Sequence, residues 1–320
     1  MNPEIISLGE PMLEFNATQE GSLSEVNHFT VGWGGDTSNF AIAASRLGGN
    51  VGYLTRLGND EFGDSFIKLW HKEGIDTSQV VRDAEAPSGI YFISRKGKSH
   101  HFTYYRKNSA ASRMTPEFIP DDYIRKAKLL HVSGISQGIS TSACDAVFAA
   151  IAAAKDADVL VSYDPNLRLK LWPLDRARAI IHQTVSLADI FLPSLEDAQV
   201  LTGMQDTEQI ARFYLSLGPK ILVLKLGAEG AVLAFEEERD GLFQIHIQKF
   251  SPYKVEPIDM TGAGDTFAAA FVVGYLSAWP LERCVRFANA AAALSTTGLG
   301  AVTPIPQPEA VAALMNQQKA

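Results

Sequence analysis

Short β-branched runs alternate with amphipathic helical stretches along most of this chain, and that rhythm leaves few architectures open. Strand candidates are Glu4–Gly9, Leu129–Ser133, Val159–Tyr163, Ile190–Leu192 and Ile221–Leu226. Helical patterns run at about Ser38–Leu47, Glu61–Glu73, Thr141–Lys155, Leu174–Leu187 and Gln209–Leu217. Strands separated by helix-length connections form βαβ units, so the sequence predicts an α/β fold with a mostly parallel central sheet covered on both faces. Two regions break the rhythm. Met12–Trp33 and Ser88–Arg106 alternate as strands without an intervening helix. They read as a small antiparallel appendage, either a lid over a site or a bland surface hairpin. With no repeats, linkers or low-complexity tracts, residues 1–320 read as a single domain with lid segments near 12–33 and 88–106.

Several function classes are disfavoured by composition. A net charge of −8 argues against nucleic acid or an anionic membrane as a bulk partner. No apolar stretch is long enough to span a bilayer, and Met1–Ile6 lacks the basic start and apolar run of a signal peptide. Cys144 and Cys284 lie far apart without metal-ligand spacing, which points away from disulfides or zinc and toward a reducing cytoplasm. The pair His100-His101 lacks companion ligands and reads as exposed histidines. The Ala288–Leu294 run reads as a closely packed helix, and neither Ser133 nor Ser136 sits in a nucleophile motif.

The most informative stretch runs from Ile258 to Gly274 and contains Thr261-Gly-Ala-Gly-Asp265. Small residues followed by an apolar run predict a loop opening directly into a helix. Glycines let that backbone approach a ligand closely. The first amides of the helix have no intrahelical partners and carry partial positive charge, forming an anion site suited to a phosphoryl group. Asp265 could be only a capping carboxylate. It could equally take a proton from an attacking hydroxyl. The pattern is not the GxxxxGK[ST] phosphate loop, and Glu10–Glu14 after the first strand is no dinucleotide fingerprint.

A second glycine-rich segment, Gly32-Trp-Gly34-Gly35-Asp36-Thr-Ser-Asn39, continues through Gly48 to Asp60 and Gly63. It places Asp36 and Asn39, side chains suited to sugar hydroxyls, beside exposed amides. A turn with a helix cap is the plainer reading of Asp36. The two segments, in this order, resemble the signatures of the ribokinase-like (PfkB-type) carbohydrate kinases, and the likeness runs from Ser7 to Pro304. That resemblance implies a three-layer α/β/α fold with a small β-sheet lid, and ATP with Mg²⁺ as phosphoryl donor and metal. It implies that Gly262, Ala263 and Gly264 form the anion hole and that Asp265 is the base. It likewise implies nucleotide contacts from Lys225, Gly227, Gly230 and Asn289. Two positions depart from the family pattern. Ser194-Leu-Glu-Asp197 stands where an Asn-x-x-Glu element helps organise the metal through water, keeping a carboxylate at Asp197, and Met260 follows Asp259. A monovalent cation such as K⁺ near Asp259 is left open.

Tyr104-Tyr105-Arg106 and Asp164-Pro-Asn166-Leu-Arg168 bear on the substrate. Arginine forks suit carboxylates, so the pair of arginines favours an acidic sugar. Arg106 could also be a solvated surface charge, and Arg168 a contact to ATP. With Gly9–Glu14 and Ser133–Ser136, these segments resemble 2-keto-3-deoxygluconate kinases. The likeness implies substrate contacts from Gly34, Tyr91, Tyr104, Arg106 and Arg168, with Asn166 and Arg168 near the nucleotide; Gly35, Asp36 and Asn39 of the glycine-rich segment are further candidates for the sugar. Ala301 stands where some relatives carry a further aspartate. The implied reaction phosphorylates the 6-hydroxyl of the keto acid. Alternatives are a fructokinase or other neutral-sugar or nucleoside kinase, and a non-catalytic sugar-binding regulator. The expected partners are a small sugar acid and ATP, with a homo-oligomer through the lid left open.

Overall fold

The computed structural model describes residues 2–97, 99–239 and 242–318. Its strands, in chain order, are β1 (Ile5–Leu8), β2 (Met12–Glu20), β3 (Phe29–Gly34), β4 (Val51–Gly58), β5 (Val80–Asp83), β6 (Gly89–Lys96) and β7 (Ser99–Tyr105). They continue with β8 (Leu129–Ser133), β9 (Leu160–Asp164), β10 (Ile190–Phe191), β11 (Ile221–Lys225), β12 (Ala231–Arg239) and β13 (Leu242–Phe250). One sheet has the order β13-β12-β11-β10-β9-β8-β1-β4-β5 and is parallel from β11 to β5. The β12–β13 hairpin adds its antiparallel edge.

Side chains alternate between two cores, as the two-residue period of a strand requires. Ile5, Leu129, Ile221 and Val223 enter one apolar cluster, and Ile6, Leu130, Leu222 and Leu224 enter the other. Helices Asp36–Arg46, Glu61–Lys72, Ala263–Leu276 and Leu281–Ser295 cover the first face. Thr141–Lys155, Leu174–Val185 and Thr207–Leu217 cover the second. This is the expected three-layer α/β/α arrangement. Local chemistry starts the helices where they start: Asp60, Ser140 and Asp206 each accept a hydrogen bond from a first-turn amide.

Each expected strand and helix is present to within two residues. The first helix begins at Asp36 rather than Ser38, which brings Asp36 into its opening turn. Strands β4, β5, β12 and β13, and helices Leu195–Thr202 and Pro308–Gln317, are additional to the sequence pattern.

The two irregular regions form one four-stranded sheet of order β3-β2-β6-β7. It is not wholly antiparallel, as the sequence suggested, because β2 pairs with β6 in parallel, from Met12↔Gly89 to Asn16↔Ile93. The reason lies in the main sheet. β1 and β5 run in the same direction, and β2 and β6 continue outward from their carboxyl ends, so the continuations are also parallel. Of the His100-His101 pair, the His100 side chain lies outside the described residues. Both cysteines are free and buried, and no described helix is long and apolar enough to cross a membrane.

Candidate active site

The cleft lies at the carboxyl edge of the parallel strands, where β8 delivers Ser133, β9 delivers Asp164 and β11 delivers Lys225. Helix Ala263–Leu276 points its N-terminus at this edge, and residues 266–274 behind it are buried without interruption. Gly262 fills the cap position with φ 77°, in the left-handed region that glycine tolerates. A Cβ there would also stand 3.0 Å from Ala301 Cβ. Replacing Gly262 by Ala is therefore expected to destabilise the protein by about 1–2 kcal/mol, seen as an earlier urea midpoint. An unchanged midpoint would mean that this turn carries no conformational demand.

Because the cap belongs to Gly262, Asp265 sits one turn inside the helix and is free for other contacts. Its Oδ2 accepts 2.9 Å from Asn39 Nδ2, a residue 226 positions earlier. The two glycine-rich segments thus meet in space. Asn39 is buried, and its Oδ1 has no hydrogen-bond partner among the described residues. Burial, then the charges of Asp36 and Asp164, push the Asp265 carboxyl up to about 7, against the opposing pulls of Asn39 and Lys225. A carboxylate poised there can serve as a base near neutral pH.

Asp36 is itself well supplied. Its Oδ1 accepts from the Thr37 amide at 2.9 Å, and its Oδ2 accepts from Asn166 Nδ2 at 3.0 Å and from the Ser133 hydroxyl. Burial nonetheless raises its carboxyl above the ordinary range. The preceding Gly35 has φ 95°, and a Cβ there would collide with the Glu10 carbonyl. That close approach fixes Gly35 against the loop after β1, while a Cβ on Gly34 would meet the Tyr91 hydroxyl.

On the other side of Asp265, Lys225 Nζ makes an ion pair with the buried Asp164. The same Nζ would stand 3.4 Å from a Cβ built on Gly264. A cation therefore lies beside the helix N-terminus, strengthening the anion site that the amides begin. Asp197 accepts from the Leu167 amide at 3.1 Å, and Ser194 caps its helix. Burial, and then Asp164, raise the Asp197 carboxyl, while Arg168 and Lys225 pull it back. Arg168 is exposed at the rim, with Nη1 on its neighbour's carbonyl. Gly227 opens a short 3₁₀ turn and Gly230 closes it before β12. Asn289 is buried and donates to the Ser251 carbonyl at 3.3 Å.

The small sheet supplies the opposite wall. Tyr91 donates to the buried Glu14 at 2.5 Å and stacks on Tyr104 at 5.7 Å between ring centroids. Burial, Glu14 and Asp259 hold the Tyr91 hydroxyl well above its usual range. Arg106 is not a solvated surface charge: its side chain is 12% exposed and ion-paired with Glu10. Nothing local in the sequence marks Glu10 or Glu14 for burial, yet both carboxylates are buried here. Asp259 accepts from Thr261 N and Oγ1 and from the Gly300 amide, tying that loop together. Met260 beside it is 76% exposed.

Among the described residues, no three acidic, histidine or cysteine side chains gather to hold a metal ion directly. Asp164, at the end of β9, and Asp197, in the first turn of helix Leu195–Thr202, suit an outer-shell role toward a cation carried mainly by phosphate oxygens.

This geometry accords with comparisons to known proteins. The model of the pfkB family carbohydrate kinases matches residues 2–308. A 2-dehydro-3-deoxygluconokinase of Thermoproteus tenax is 37% identical, over 95% of this chain and 91% of its own. One from Bacillus subtilis is 34% identical over 100% and 97%. A probable fructokinase-3 of Arabidopsis thaliana is 33% identical over 98% and 92%. An uncharacterised sugar kinase from Pyrococcus horikoshii, solved in complex with ATP, superposes with a TM-score of 0.83 at 30% identity, covering 97% of this chain and 99% of that one. The chain belongs to the pfkB family and is a carbohydrate kinase.

Proposed function

We propose that this kinase transfers the γ-phosphoryl group of ATP to the 6-hydroxyl of 2-keto-3-deoxygluconate or a close sugar acid. The carrying observation is Asp265: a carboxyl titrating at about 7, at a helix N-terminus, with Lys225 alongside. In this reading Asp265 accepts the proton of the attacking hydroxyl, and Asn39 holds it in orientation. The amides of Gly262 and Gly264 face the phosphoryl group as its charge spreads, joined by that of Ala263 on release from the Met260 carbonyl, to which it donates at 3.3 Å, and little covalent work is left to the protein. Lys225, Gly227, Gly230, Asn166 and Asn289 line the nucleotide side. Gly34, Gly35, Asp36, Tyr91, Tyr104, Arg106 and Arg168 line the sugar side, under the small sheet acting as a lid. Bound Mg²⁺ would neutralise phosphate charge, with Asp197 reaching it through water.

Arg106 supports the acidic substrate, because its buried guanidinium retains an Nε without a partner among the described residues. Relatives named for the keto acid, at 34% and 37% identity, support the same choice. A neutral ketohexose is the second reading. The Glu10–Arg106 ion pair already offsets the charge of that arginine, and a probable fructokinase is 33% identical.

A substrate panel read by ADP release separates the two. Changing Arg106 to Ala should raise KM for the keto acid by about 10²-fold, and for fructose less than about threefold, since a charged hydrogen bond contributes about 1.5–3 kcal/mol. Equal losses on both sugars would remove the carboxylate assignment. Absence of turnover on every sugar would remove the kinase mechanism itself.

A further inference from the structure

We propose that Glu10 is a positioning residue that aims Arg106 into the cleft, with the two acting as one unit for substrate recognition. This rests on the substrate side of the proposed function and adds to it the group that aligns the arginine. The chain passes between the two sheets at four places: after β1, after β3, before β6 and after β7. Glu10 stands where they converge. It follows β1, its backbone carbonyl lies against Gly35, and its Oε1 would lie 2.9 Å from a Cβ on Gly89 at the head of β6. From beyond β7, Arg106 Nη2 and the Ser109 hydroxyl both donate to its carboxylate.

The Glu10 side chain is fully buried. A buried carboxylate persists where charge and hydrogen bonds satisfy it, and here both come from the segment after β7. Arg106 is held on one side, through Nη2, while its buried Nε finds no partner among the described residues. A guanidinium fixed through one nitrogen, with a neighbouring donor unspent, is preorganised to donate to an anionic oxygen at little further entropic cost. Glu10 thus acts on substrate only through the arginine.

The test is a double-mutant cycle on the purified enzyme, with KM and kcat measured for the keto acid and for fructose. Glu10→Gln should raise KM about tenfold for the sugar that depends on Arg106, with kcat within about twofold, because orientation rather than chemistry is lost. In an Arg106→Ala background the same change should move KM less than about twofold. Glu10→Asp should restore part of the loss. Ser109→Ala, which removes the lesser partner, should raise KM about threefold and serves where Glu10→Gln does not fold. Additive KM effects in the cycle, or a fall in kcat with KM unchanged, would overturn the inference. Loss of sugar-acid selectivity is a separate result: if Arg106→Ala weakens both sugars equally, the substrate reading fails while the coupling remains measurable on either.

Discussion

Replacing Asp265 by Asn is expected to lower kcat by about 10²–10⁴-fold while making the protein harder to melt above neutral pH. The loss follows from removing the carboxylate that the geometry places as base in the first turn of helix Ala263–Leu276. The gain follows from linkage. In the folded chain this carboxyl titrates at about 7, against an ordinary value of 3.8, so between those values the folded state holds its proton more tightly than the unfolded chain does. Stability therefore declines as pH rises through that window, and the full penalty persists above it. Asparagine never ionises, and its side-chain carbonyl can still accept from Asn39. The variant should exceed the parent in Tm at pH 8 and converge with it near pH 4. In the parent, kcat/KM should rise with pH through about 7. Near-parental kcat in the variant would leave Asp265 a structural carboxylate.

The second large effect is expected at Lys225. Changing it to Met deprives Asp164 of its counterion, and Asp164 is only 5% exposed. An uncompensated buried carboxylate costs about 3–5 kcal/mol. The neighbouring carboxyls Asp36, Asp197 and Asp265 supply no relief. Lys225 also pulls the Asp265 carboxyl downward, so its loss should move the rising limb of kcat/KM to higher pH. Pairing Lys225→Met with Asp164→Asn should recover much of the stability by urea denaturation, but not the activity. A single-variant cost below about 1 kcal/mol would show that the pair is solvated in solution, as exposed ion pairs are.

Much of this architecture is legible in the chain because parallel strands are buried on both faces and spell out apolar runs, as Ile221–Leu224 does without a break and Leu129–Val132 does around His131. β4 is obscured by Gly52, Arg56 and Gly58, of which Gly52 leaves room for the Tyr123 hydroxyl. That strand is specified by its neighbours rather than by local composition. The β12 sequence AVLAFEEER turns acidic halfway; Ala231–Phe235 pair with β11 as well, while the acidic half is a strand through its hairpin partner β13. At the site, the glycine turns and Asp265 announce themselves through residue type and spacing. Glu10 does not, since the arginine that permits its burial lies 96 positions away. Asn39, a candidate for sugar hydroxyls, also spends its amide on Asp265. Long-range pairing decided both.

The parallel pairing of β2 with β6 has a bearing on how the molecule assembles. Its partners Met12 and Gly89 are distant in the chain, and only the completed neighbourhood of β1, β4 and β5 brings them side by side. Closing so large a loop early would be entropically costly, so the small sheet should form late, upon a body already built. Until β6 arrives, the β2–β3 hairpin presents a bare, aromatic-bearing edge to other chains. Slow maturation of this region would therefore be the period in which the newly made kinase is most prone to stick to its copies.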